Sequence, residues 1–308
     1  MKLGDIGPAV WEPNLTHQWS SAMRIHITVI VTCATLAGCA HAPGPLHHNT
    51  PRPQPHSGVL WTDDIQNSCG EAPYGFSQIQ LERPIGQAVG GNSEVDLYRV
   101  NDPLGGPGFA LKHVATFDNN GGSRSQAGIY SFANATFDQL VRSPSGVYIA
   151  AEWFFPEAIT AHSSPDSNPW INLWDFHSVS SSERWHTQPG LMLVEDGSMR
   201  VKWSWTAINP ETDWSTVTLP VGEWFDIEMH YVWGSESTGC AGGTTVTLWV
   251  NGQKTLEQRG VTTRGDGHDS VETYMKFYGS ANNGDDWDPK PSVKYMRNVR
   301  MSATRIWR

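Results

Sequence analysis

The chain has 308 residues, 17% charged and 38% hydrophobic, with 15 Trp, 30 Gly, 20 Pro and a formal net charge of −10. That length holds one large domain or two small ones and can bury a sizeable core. The acidic balance argues against nucleic-acid binding, which needs a basic surface, no apolar run approaches the roughly 20 residues of a spanning helix, and the aromatic content argues against wholesale disorder.

Met23 and Arg24 precede a short apolar run, Ile27 to Ala37, that ends in Leu36-Ala37-Gly38-Cys39. A basic start, an apolar middle and small residues at the end make an export signal. The ending resembles the lipobox of bacterial lipoproteins, which implies that Cys39 becomes the lipidated first residue of the mature chain. An ordinary secretory signal is the alternative. Residues 1–39 are therefore expected to be an upstream extension plus signal. The expected location is that of an exported lipoprotein on the outer membrane, at its periplasmic face or the cell surface. Residues 40–58, with histidines at 41, 47, 48 and 56 among frequent prolines, predict an extended, solvated linker. Of the four cysteines, Cys33 and Cys39 belong to the signal. Cys69 and Cys240 remain for a disulfide under oxidising conditions.

Residues 59–308 read as one domain of many short strands. Gly146–Phe155, Trp170–His177, Trp224–Trp233, Thr244–Val250 and Thr273–Tyr278 are rich in aromatic and β-branched residues and bounded by turn formers. Asn251-Gly252 predicts a hairpin turn, and Ala133–Val141 is the one short helix expected. The fold class is all-β, a jelly-roll sandwich of two antiparallel sheets.

Residues two apart share one face of a strand. Arg124, Gln126, Gly128 and Tyr130 therefore share a face, as do Asp175 and His177, and as do Tyr274, Lys276, Tyr278 and Ser280. A guanidinium, an amide, an imidazole, an ammonium and phenols on one sheet suit an anionic sugar and the movement of its protons. The motifs Arg124-Ser-Gln126, Asp175-Phe-His177 and Tyr274-Met-Lys276-Phe-Tyr278-Gly-Ser280 appear in this order. So do Pro220-Val-Gly-Glu-Trp224 and Val246–Gly252. Together they resemble the jelly-roll polysaccharide lyases of the alginate-lyase and heparin-lyase-I superfamily, which have a concanavalin A-like fold. Relative to that family's Arg-x-Glu, Gln-x-His and Tyr-x-Lys-x-Gly-x-Tyr motifs, Gln126 replaces Glu, Asp175 replaces Gln, Tyr278 replaces Gly and Ser280 replaces the terminal Tyr.

The resemblance implies β-elimination at a uronic acid, with acidic polysaccharide as the partner, a monomeric protein and no required cofactor. Arg124, His177 and Tyr278 are the expected catalytic residues. Gln126, Lys276, Asp175, Tyr130 and Tyr274 are the expected substrate-binding residues, and Asp175 also has the option of orienting His177. Asp285–Asp288 and Asp266–Asp269 offer oxygen ligands of the kind that structural calcium sites use. Two rival readings stand beside the lyase. One is a non-catalytic carbohydrate-binding module, with Trp185, Trp214 or Trp287 stacking on sugars. The other is a laminarinase-type hydrolase, for which Glu223, Asp226 and Glu228 have the wrong spacing to share one strand face.

Overall fold

The computed structural model describes residues 58–66, 75–82, 95–115, 124–162, 171–179, 184–185, 190–192, 199–204, 214–234, 245–259, 263, 267–279, 286–289 and 291–307. The signal, Cys39, the linker through residue 57 and both cysteines of the expected disulfide lie outside them.

In chain order the strands are β1 (Val59–Thr62), β2 (Gln78–Glu82), β3 (Val95–Asn101), β4 (Phe109–Ala115), β5 (Arg124–Tyr130), β6 (Val147–Phe154), β7 (Thr160–His162), β8 (Ile171–Val179) and β9 (Arg184–Trp185). They continue as β10 (Gly190–Met192), β11 (Arg200–Ser204), β12 (Trp214–Thr218), β13 (Phe225–Tyr231), β14 (Thr245–Val250), β15 (Gln253–Arg259), β16 (Ser270–Gly279), β17 (Asp286–Asp288) and β18 (Ser292–Ser302). The first sheet runs β15-β14-β13-β6-β18-β4-β3, with β1 also on β18. The second runs β12-β11-β10-β8-β16-β5-β2, with β9 on β8, and β17 pairs with β7 separately. Hairpin neighbours such as β14 and β15 sit beside strands distant in sequence, such as β6 and β18 or β8 and β16, as in a jelly roll.

The pleat explains the core. In β6, Val147, Ile149, Ala151 and Trp153 enter the cluster between the sheets, whereas Tyr148, Glu152 and Phe154 do not. Phe176 of β8 stacks on Tyr231 of β13 at 4.5 Å between centroids, and Trp174 of β8 meets Trp153 of β6 at 6.1 Å. These rings join the two sheets, and each buried aromatic contributes about 1.5–3 kcal/mol. At the predicted turn, Asn251 and Gly252 both take positive φ, 48° and 76°, and bring Val250 opposite Gln253. The predicted helix begins two residues late. A 3₁₀ turn occupies Ser131–Ala133, and α1 spans Ala135–Val141 because the Asn134 side chain caps the Phe137 N–H at 2.9 Å.

Of the carboxylates of the hydrolase reading, Asp226 and Glu228 face away from the core on β13, and Glu223 lies in the exposed bend before it. Glu228 accepts the backbone N–H groups of Ile306 at 2.5 Å and Trp307 at 3.3 Å. It thereby anchors the C-terminal segment, whose Ile306 and Trp307 cover Ala150. Glu228 is a structural anchor.

One polar strut crosses the core. Lys294 of β18 is fully buried over the Trp153 ring, 4.2 Å from its centroid, and donates to the main-chain carbonyl of Lys276 in β16. Burial drives its pKa well below the ordinary lysine value, and burial followed by the nearby Lys294 does the same to His113. Folding therefore releases a proton from Lys294, so stability rises with pH up to the unfolded value of 10.5 and is lost as pH falls. Equilibrium unfolding a pH unit or more below 10.5, and above the folded value, should show a gain approaching about 1.4 kcal/mol per pH unit. Lys294→Met should abolish that slope; an unchanged slope would refute the assignment.

Candidate active site

Strands β5, β16 and β8 lie side by side in the second sheet, and their register forms a grid on its outer face. Tyr130, Glu272 and His177 form one row, and Gly128, Tyr274 and Asp175 the next. Lys276 stands opposite Gln126, and Tyr278 opposite Arg124. Register thus puts the positions of all three sequence motifs on one face. The side chains of Arg124, Gln126 and Tyr278 lie outside the described residues, as do those of Trp185, Trp214 and Trp287.

The centre of the grid is a buried polar network. Asp175 is fully buried, and its Oδ2 accepts from Lys276 Nζ and lies 2.9 Å from His177 Nε2. Glu272 Oε2 lies 3.8 Å from His177 Nδ1 and accepts the Tyr274 hydroxyl proton. Tyr274 packs edge-on against Tyr130 at 5.6 Å and lies 5.1 Å from the His177 ring. Gly128 makes room for those two phenols. A Cβ there would approach Tyr130 to 2.9 Å and Tyr274 to 3.0 Å. Glu272 was not picked out in the sequence, although it stands two residues before Tyr274 and so belongs to the same face.

Electrostatics assigns the roles. Burial alone would raise the Asp175 carboxyl, but the Lys276 ammonium and the His177 ring outweigh it and hold Asp175 well below the carboxylate range. Burial works against protonation of His177, yet Asp175, with a contribution from Glu272, raises its pKa above 6.5. Tyr274 is pushed far up, by burial first and then by Glu272. Its proton stays on the phenol. The arrangement can hold an imidazolium and an ammonium against an anionic ligand while cancelling the charge of Asp175. Among the described residues no group of three or more His, Cys, Asp or Glu could hold a metal ion.

The raised His177 pKa contributes stability that is complete below 6.5 and disappears as pH rises through the folded value. Asp175→Asn should drop the His177 titration midpoint, followed by NMR, to below 6.5, because burial then acts with less opposition. An unmoved midpoint would show that Asp175 does not set it. Gly128→Ala should cost about 1–3 kcal/mol through overpacking, read as a lower thermal midpoint.

No curated protein matches the sequence. Among solved structures, an endo-β-1,4-glucuronan lyase from the fungus Trichoderma reesei is similar at 12% identity and TM-score 0.49, covering 80% of this chain and 96% of that one. A Bacillus subtilis protein with a galectin-like fold shares 9% identity at TM-score 0.40, covering 82% of this chain and 98% of that one. An alginate lyase mutant in complex with alginate trisaccharide shares 11% identity at TM-score 0.34, covering 64% and 82%. The family match spans residues 76–295, from the residue preceding Ser77 and β2 into β18, and includes every strand of the grid. The chain belongs to the polysaccharide lyase family.

Proposed function

We propose that the protein cleaves a uronic-acid-containing polysaccharide by β-elimination. The observation that carries this reading is the Asp175–His177–Lys276 cluster, on the same sheet face as the register positions of Arg124, Gln126 and Tyr278. Elimination requires that the uronate carboxylate be neutralised, which stabilises the enolate-like state formed as the C5 proton leaves. The His177 imidazolium, kept protonated by Asp175, supplies that positive charge, together with Lys276 and the guanidinium at position 124. A protonated imidazole cannot also take the C5 proton. With the Tyr274 proton committed to Glu272, the base role falls to the tyrosine at position 278. As the phenolate it takes the C5 proton, the electron pair of the C5–H bond forms the C4–C5 double bond as the C4–O bond breaks, and the phenol so formed passes that proton to the departing oxygen.

A second reading is favoured by one observation. Asp175, His177, Glu272, Tyr274 and Lys276 are buried and engage one another. A buried, interlocked network of this kind would also rigidify a non-catalytic sugar-binding face.

Incubation of the full chain with glucuronan, alginate, heparin, chondroitin and pectin decides between them. An unsaturated product absorbing in the near ultraviolet is expected with one acidic polymer. His177→Ala should lower kcat/KM by about 10²–10⁴-fold. The alkaline fall of kcat/KM should track the His177 pKa and move to lower pH in Asp175→Asn. Retention on a polymer without product would establish the binding module instead.

Export as an outer-membrane lipoprotein belongs to the same reading, supported by Leu36-Ala37-Gly38-Cys39. Cys39→Ala should move the protein from the membrane fraction to the soluble fraction; unchanged membrane association would refute the anchor.

A further inference from the structure

We propose that the outer face of the first sheet carries a second, non-catalytic polysaccharide track, built on Tyr98, Lys112 and Tyr295 and suited to a chain bearing uronates. The inference rests on acidic polysaccharide being the ligand class, but it concerns the sheet opposite the candidate active site.

Register generates the track. Tyr98 of β3, Lys112 of β4, Tyr295 of β18 and Phe154 of β6 form a single row across four adjacent strands. Their sequence neighbours Leu97, Leu111, Met296 and Trp153 pack into the core, so the row belongs to the opposite face. Lys112 Nζ lies between the two phenols, 5.6 Å from the Tyr98 centroid and 6.0 Å from the Tyr295 centroid. Tyr295 packs in turn on Ala110, Phe154 and Trp224, which form a small apolar cluster outside the main core.

Among the described residues the exposed large hydrophobics are Leu60, Tyr98, Leu104 and Val221, and Tyr98 belongs to this row. Tyr98 is its end member. Leu104 lies in the β3–β4 turn, whose Asp102 accepts the Trp224 indole N–H at 3.1 Å, and Val221 lies three residues before Trp224. Tyr98 is exposed and Tyr295 half-buried on the same face, an aromatic surface that a ligand can reach.

Chemistry selects the occupant. Tyrosine offers a flat apolar ring with a polar rim, which matches the C–H face and hydroxyl edge of a pyranose. Tyr98 and Tyr295 are two strands apart, roughly 9.5 Å, on the scale of a disaccharide unit in an extended β-linked chain. The ammonium between them would meet the carboxylate of a uronate. A protein of net charge −10 gains most from a local cation when the ligand is a polyanion. A second track would hold a long polymer near the enzyme while the catalytic sheet works, raising the effective substrate concentration without touching the reacting bond.

The test uses the full chain carrying His177→Ala, so that polymer stays intact, in affinity gels containing glucuronan, alginate or the neutral glucan laminarin. The probe variant is Tyr98→Ala/Lys112→Gln. Neither residue lies in the main core, and the thermal midpoint checks that the fold survives. Lys112→Glu provides a charge reversal of similar size. The expected result is retention on an acidic polymer that weakens about tenfold in the double variant and is lost in Lys112→Glu. In the chain with His177 intact, turnover of a tri- or tetrasaccharide should be unchanged by the same variants, while KM on long polymer rises. Retention unaffected by both variants, no retention of the parent on any acidic polymer, or equal retention on laminarin would each overturn the proposal. Absence of unsaturated product from the chain with His177 intact would overturn the lyase reading alone, since retention is read separately.

Discussion

A carboxylate that no water reaches governs the candidate site. Asp175 sits at zero exposure in the second sheet, and a buried charge of this kind persists only when paired and hydrogen-bonded. Two cations meet that demand from two strands, Lys276 from β16 and His177 from Asp175's own β8. The pairing fixes the imidazole orientation, keeps its proton and pins the ammonium in one place. The two positive groups are thus held before any sugar arrives, as electrostatic preorganisation requires. Asp175 brings to this face a negative charge that the two cations must cancel.

Acidic residues serve three distinct ends in this fold, and their partners distinguish them. Glu228 spends both oxygens on backbone N–H groups of the C-terminal segment. Asp102 and Glu152 share the Arg297 guanidinium, which also lies over Trp224. These are structural sites, where the geometry is saturated by the chain itself. Glu272 and Asp175 instead surround a titratable ring whose pKa they raise. Perturbed titratable groups of that kind concentrate where chemistry is done.

The two sheets divide the labour. The strut from Lys294 to the Lys276 carbonyl and the stacked rings of Phe176 and Tyr231 tie the sheet of the candidate site to the first sheet. The strand that delivers Lys294 to the core also presents Tyr295 on the far face, one residue along. A single pleated strand thereby connects the candidate site, the core and the proposed polymer track.

Much of this was legible in the sequence because strand periodicity is local. Alternation alone put Asp175 with His177 and Tyr274 with Lys276, and the Asn251-Gly252 dipeptide located the hairpin. The same rule applied to Thr273–Tyr278 stopped one residue short of Glu272, whose importance depends on its facing His177 across the ladder. The helix start also escaped by two residues, because the cap at Asn134 is decided by side-chain geometry. What the amino-acid order determined by itself was the all-β class, a subset of the strands (β5, β6, β8, β13, β14 and β16) and which of their residues share a face, since these follow from the two-residue pleat. Only the tertiary structure decided which strands are neighbours, and with them the pairing of Asp175 with Lys276, the strut from Lys294 and the Tyr98–Lys112–Tyr295 row. Those contacts join residues distant in the chain, and their energies come from burial and charge pairing that exist only once the sheets have closed on one another.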